Sequence, residues 1–209
     1  MIFETIFIIF IFLFSVIIHE IAHGEMANIL GDPTARISER LTLNPLKHLD
    51  PFGSIILPGF LLLFNFLFPA QGGIIFGWAK PVPVNPYNFR DQKYGSAKVA
   101  IAGPAANIFL VLIFSLLIKI LPSNSEFFLN LKAIFSLIVW VNLILALFNL
   151  MPIPPLDGSH ILFAFLPSGT EKIKIFFQAY GPFLLIFFII FGFQFLLPVI
   201  DWLFRILVG

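Results

Sequence analysis

Cysteine is absent from the 209-residue chain, and charged side chains make up only 11% of it. The first absence excludes disulfides, thiol nucleophiles and thiolate-bound zinc. The second excludes an ordinary soluble domain, where about 25% of residues carry charge. No polar stretch is long enough to house a separate soluble domain. With a formal net charge of +1, no basic block suggests nucleic acid. The start of the chain lacks a basic n-region and an A-x-A site, so it does not read as a cleaved signal. What is present instead is apolar: 59% of residues are hydrophobic and 29 are Phe. Long apolar runs at this density predict an integral membrane protein, with residues 1–209 forming one domain.

Residues 3–29 read as one long helix, apolar as far as Ile18 and ended by Gly31-Asp32-Pro33. A polar loop follows at 32–51. Residues 52–79 are apolar but interrupted by Gly53, Pro58, Gly59, Pro69, Gly72 and Gly73. Residues 80–98 are polar and rich in Pro and Asn. Further spans are predicted at 99–121, 133–150 and about 179–197. A polar link at 122–132, a short helix at 161–166 and an interfacial tail at 198–209 complete the pattern. The expected fold class is an all-α polytopic integral membrane protein. It has about four clear transmembrane helices, broken or re-entrant membrane segments, and a short membrane-associated β element. Gly73 to Val84 is the strand candidate, because it is short, β-branched and interrupted by Pro and Gly as an edge strand would be. The competing reading is a plain surface loop.

The chemistry-bearing residues stand inside this apolar background. His19-Glu20-Ile21-Ala22-His23 is an H-E-x-x-H pentapeptide near the end of the first apolar run. On a helix, His19 and His23 are four apart and share a face, so both can reach one metal ion. Glu20 is placed to handle a water on that metal. Polar groups this dense in a membrane segment are costly and mark a functional site. A catalytic zinc usually takes three protein ligands. The other histidines are His48, which reads as a solvated side chain at the interface, and His160. Asp157 is the stronger third candidate. It follows Pro152, Pro154 and Pro155, which prevent an ordinary helix, and precedes Gly158, which permits a close turn. Such irregular backbone at membrane depth is tolerated where protein or a wet cavity surrounds it. A structural cap at Asp157, and His160 as ligand instead, are the readings it competes with.

Four segments carry a resemblance: HEIAH at 19–23, GPAAN at 103–107, NLMPIPPLDG at 149–158 and GWAKPVPVNPYNF at 77–89. In these the chain resembles the site-2 protease family of intramembrane zinc metalloproteases, in its compact form without a PDZ domain. The resemblance runs from about Phe10 to Leu197. It implies one Zn²⁺ per chain bound by His19, His23 and Asp157, with Glu20 as the catalytic acid and base. It also implies that Asn149 helps hold the substrate backbone. Asn107 or Asn149 could equally donate a hydrogen bond to a developing oxyanion, or simply fasten helices together. The implied activity is hydrolysis of peptide bonds within or next to transmembrane segments. The implied partners are a transmembrane protein or peptide and membrane lipid. Whether an adaptor takes part does not follow from the sequence.

A shared metal puts His19 and Asp157 at one membrane face, so 52–79 should cross an even number of times. That face holds Arg36, Arg40, Lys47, Lys80 and further cations to Lys174, whereas the opposite loop holds Lys119 and Lys132. The positive-inside rule then gives a multi-pass cell-membrane protein with its site toward the cytoplasm. A metal-binding transporter would not need Glu20 beside the first histidine and tends to show repeated halves, of which there is no sign. A catalytically silent scaffold would not need the complete set of reactive groups.

Overall fold

The computed structural model describes residues 2–56, 60, 80–167 and 169–209. Its helices are α1 (Ile2–Ile29), α2 (Thr34–Ile37), α3 (Gly95–Ile120), α4 (Glu126–Asn149), α5 (Asp157–Phe165), α6 (Glu171–Phe187) and α7 (Phe193–Val208). A π-helical segment, Phe188–Gly192, joins the last two without a break. α1 ends where Gly31 takes φ +107°, and the Asp32 N–H closes on Ala27 O at 2.9 Å. A left-handed residue at this position satisfies the last helical carbonyls, and glycine adopts it without a Cβ penalty.

α3 is the central element and packs against α1, α4, α5 and α7. Val111, Ile118, Val139, Leu143, Leu196 and Ile200 form its largest buried apolar cluster. Ile11, Val141 and Leu145 form a second cluster between α1 and α4. Among the described residues, four helical stretches are long and apolar enough to cross a membrane: Ile6–Ile29, Gly95–Ile120, Glu126–Asn149 and Glu171–Val208. Their most apolar windows are only 11–33% buried inside the protein. Lipid must cover the rest, as at the exposed Phe10, Phe109, Phe183 and Phe195. The chain is therefore a multi-pass membrane protein.

Several expectations need correction. No strand occurs among the described residues, so the expected β element is not supported. Residues 73–79 of that expectation lie outside the described residues, as does most of the 52–79 segment whose crossings were inferred. From Lys80 to Asn85 the chain carries no regular structure, and side chains take up its polar groups. Arg40 Nη2 donates to Lys80 O at 2.7 Å, Val82 N donates to Glu20 Oε2 at 2.8 Å, and Asn85 N donates to Asp32 Oδ2 at 2.6 Å. Pro81 and Pro83 supply no N–H, so a ladder has little left to use.

His48 also departs from expectation. It is fully buried, its Nε2 lies 2.8 Å from Thr42 O, and its own carbonyl accepts the Lys80 N–H at 2.9 Å. It fastens the first loop to the 80–88 segment. The link at 122–132 is shorter than its polarity suggests, because Ser125 accepts from Phe128 N and starts α4 at Glu126. The tail at 198–209 is not a separate interfacial piece but continues α7. Leu196, Ile200, Leu203, Phe204 and Leu207 recur on one face and pack on the core, while Asp201 and Arg205 point away.

Asp32 secures the 80–88 segment from below. It is fully buried and accepts from Asn85 N, from Asn88 Nδ2 at 2.8 Å, and from the Thr34 hydroxyl and amide. Burial opposes its ionisation, but hydrogen bonds from Thr34, Asn85 and Asn88 outweigh this and hold its carboxyl below the usual carboxylate range.

Candidate metal centre

His19, His23 and Asp157 come together at the meeting of α1, α3 and α5, with donor atoms all within 4.8 Å of one another. The two Nε2 atoms are 2.9 Å apart, and Asp157 Oδ2 lies 3.1 Å from the first and 3.3 Å from the second. Both rings are anchored from behind. His19 Nδ1 is 2.6 Å from Asn107 Oδ1, and His23 Nδ1 is 2.7 Å from Val99 O. A carbonyl oxygen only accepts, so each Nδ1 donates its hydrogen there and each ring turns Nε2 inward, toward Asp157. Asp157 Oδ2 is buried and has no donor among these groups. A cation placed among the two Nε2 atoms and the carboxylate oxygen would be within reach of all three. Imidazole nitrogens with one carboxylate form a donor set that suits zinc.

Local sequence explains how the three meet. α1 supplies both histidines by its four-residue spacing. α3 reaches them through Gly103, where a Cβ would sit 2.4 Å from His23 Nε2 and 2.6 Å from His19 Nε2. Asp157 opens α5, where the helix dipole favours a carboxylate. Gly158 lets this helix start press on the end of α4, since a Cβ there would lie 2.2 Å from Leu150 O. The turn at 151–156 that carries Asp157 is irregular, in keeping with its prolines.

Behind His19 lies a polar network inside the bundle. Asn107 Nδ2 donates to Asn142 Oδ1 at 2.8 Å and to Ser15 O at 3.3 Å. Asn142 Nδ2 donates to Ser15 Oγ at 2.9 Å and to Ile138 O at 2.8 Å. Asn107 and Asn142 are fully buried. The Asn107 amide is thus occupied by protein partners and is directed at His19 rather than at open space. Ser15 and Asn142 were not singled out from the sequence. The available signals were a serine one helical turn before His19 and an asparagine within an apolar span.

A cleft of about 400 Å³ opens on the cluster. His19, Glu20 and His23 line it with Pro81, Val82, Asn149, Asp157 and His160. Asn149 donates one amide hydrogen to Leu145 O at 2.9 Å. His160 is exposed at the cleft and stands outside the three-residue group. His48 lies in the fastened loop, away from the cleft lining.

A membrane-spanning bundle with a His/His/Asp donor cluster beside a motif glutamate defines a membrane metalloprotein of hydrolase type. Comparison with known proteins gives the family. The profile of peptidase family M50 matches residues 116–192. A relative from Bacillus subtilis, named putative zinc metalloprotease YwhC, is 40% identical over 172 residues, covering 80% of this chain and 72% of the relative. Rip2 of Mycolicibacterium smegmatis, named in the same terms, is 30% identical over 163 residues, covering 77% of this chain and 57% of Rip2. A third so named, from Methanocaldococcus jannaschii, is 32% identical over 98 residues, covering 43% of this chain and 46% of the relative. The chain therefore spans less than two thirds of the second and third relatives. No solved structure matches it. The chain belongs to peptidase family M50, the zinc metalloproteases to which the sequence resemblance pointed.

Proposed function

We propose that this protein is a zinc-dependent intramembrane endopeptidase, with residues 1–209 acting as one protease domain and one Zn²⁺ held by His19, His23 and Asp157. The observation that carries this reading is the convergence of three ligand-capable side-chain atoms on a cleft that Glu20 also lines. Zinc bound there supplies a Lewis acid that polarises a carbonyl and acidifies water.

The chain's own residues do the rest. Asn107 and Val99 O fix both imidazoles so that Nε2 faces inward. Glu20 is held at Oε2 by the Val82 amide, which leaves Oε1 to accept a proton from the attacking water and return it to the leaving amine. Asn149 lines the cleft and keeps an amide hydrogen for a substrate carbonyl or the oxyanion that develops from it. Asn107 supports the reaction through His19. The substrate is a membrane-embedded protein segment that opens locally before its backbone reaches the cleft, because helical carbonyls are already bonded. The excess of Lys and Arg on the site's face supports a site toward the cytoplasm.

The test is a paired measurement on purified protein: zinc per chain, and cleavage of a single-span peptide with a helix-weakening Gly-Asn centre. Glu20→Gln should retain the zinc and slow cleavage at least about 100-fold, since an amide cannot take the proton. Cleavage by Glu20→Gln at the wild-type rate would remove Glu20 from its role. Zinc binding with no cleavage by the wild type would favour a transporter or a silent scaffold.

A further inference from the structure

The Pro81–Val82 peptide group is gripped at both ends. Its N–H donates to Glu20 Oε2 at 2.8 Å, and its C=O accepts from Arg40 Nη2 at 3.3 Å. The same Nη2 donates to Lys80 O at 2.7 Å. Arg40 is only 7% exposed, and its Nε is buried with no hydrogen-bond partner. Among the described residues no carboxylate forms an ion pair with it. A buried guanidinium without an acid is costly, so its placement against two carbonyls of one short segment calls for an explanation.

One peptide group lies between a cation and a carboxylate. A positive charge on the C=O side polarises the amide and strengthens its N–H as a donor on the far side. The contact also settles direction. A glutamate has several rotatable bonds and loses considerable freedom when held in one rotamer. With Oε2 anchored, Oε1 has a fixed place relative to the cleft. The two other fastenings of the segment, Lys80 N to His48 O and Asn85 N to Asp32 Oδ2, secure its ends. Among the described residues, Arg40 is the side chain that donates to the carbonyl of the peptide that binds Glu20. Without Arg40 the Lys80 and Asn85 amides keep their partners, while the Lys80 and Pro81 carbonyls lose theirs and the Pro81–Val82 plane is held by Glu20 alone.

We propose that Arg40 is a positioning residue for the Glu20 carboxylate, acting through the Pro81–Val82 peptide. This rests on the reading of Glu20 as the proton carrier and extends it to a residue in the first loop. A purely structural Arg40 would fasten the loop without affecting Glu20.

The segment suits a direct test, because Pro81, Pro83 and Pro86 have no N–H. Between 80 and 86 only Lys80, Val82, Val84 and Asn85 carry exchangeable amides. Hydrogen exchange on the full chain in detergent can therefore follow Val82 by itself. In Arg40→Gln, Val82 should exchange at least about tenfold faster while Lys80 and Asn85 remain protected. In the same variant, kcat on the single-span peptide should fall about tenfold with KM and zinc content unchanged, and Arg40→Lys should restore part of it. Glu20→Ala leaves Arg40 untouched and should also speed Val82 exchange, so a poorly folding Arg40→Gln does not block the test. Val82 exchange that stays slow in Glu20→Ala, or in folded Arg40→Gln, would overturn the proposal. So would equal loss of protection at Lys80, Val82 and Asn85 with kcat preserved. If wild type and Glu20→Gln cleave alike, the role of Glu20 fails, whereas the exchange data still report whether Arg40 holds that carboxylate.

Discussion

His19 and Glu20 are neighbours in the chain, yet the molecule holds them by opposite means. His19 is fixed from inside the bundle, where Asn107, Asn142 and Ser15 form a buried network of side chains from α1, α3 and α4. Glu20 is fixed from the loops, by a backbone amide in an irregular segment that Arg40 and Asp32 fasten. The difference follows from helix geometry. Successive residues point about 100° apart, so a histidine facing the bundle turns the next residue toward the loops. The side of the proposed metal ligands is built as an interior, with little room to adjust. The side of Glu20, the proposed proton carrier, is built on polar contacts that can loosen one at a time.

The interior side should give the largest effects. Gly103→Ala would put a methyl group 2.4 Å from His23 Nε2, with helix backbone behind it. The expected result is loss of most bound zinc in a protein that still inserts, at an overpacking cost of about 1–3 kcal/mol. Metal analysis with a far-ultraviolet circular dichroism spectrum checks this. Full zinc in Gly103→Ala would show that α3 can retreat and that the interior is softer than its contacts imply.

A smaller effect is expected one shell further out. Asn142→Ala removes the partner of Asn107 Nδ2 and frees the Asn107 amide to turn. Zinc affinity should fall about 10-fold or more, as for other residues that orient a metal-bound histidine. Competition against a chelator of known affinity measures it. An unchanged affinity would mean that Asn107 alone orients His19.

The loop side should respond more gently and to pH. The Asp32 carboxyl is depressed by its hydrogen bonds, so the stability it contributes is complete above the unfolded carboxylate value. It is lost as pH falls below about 4 and through the lower folded value. Asp32→Asn should cost about 1 kcal/mol at neutral pH and flatten this acid loss. Thermal melts in detergent across that range, on both proteins, test the point. Identical acid limbs would detach Asp32 from the stability of the 80–88 segment.

The sequence made some of this legible and hid the rest for definite reasons. The apolar spans could be read because each carries an unbroken apolar run of about the length a membrane requires. The shared face of His19 and His23 followed from a four-residue spacing, and the turn bearing Asp157 from its prolines. The nature of 80–85 could not be read in the same way. Its β-branched and proline pattern suits an edge strand, but Arg40, Asp32 and Glu20 take its polar groups, and none of them is near in sequence. His48 sits in a polar loop and looks solvated until that loop folds back on Lys80. Asn107 could serve a substrate or a ligand equally well. Only the positions of Ser15 and Asn142 show its amide to be occupied.

The central claim is that His19, His23 and Asp157 together hold one zinc ion. The most direct measurement is zinc per chain in purified wild type and in His19→Ala, His23→Ala, Asp157→Ala and His160→Ala. About one zinc is expected in wild type and in His160→Ala, with strong depletion in the other three. Full zinc in Asp157→Ala with depletion in His160→Ala would contradict it and move the third ligand to His160.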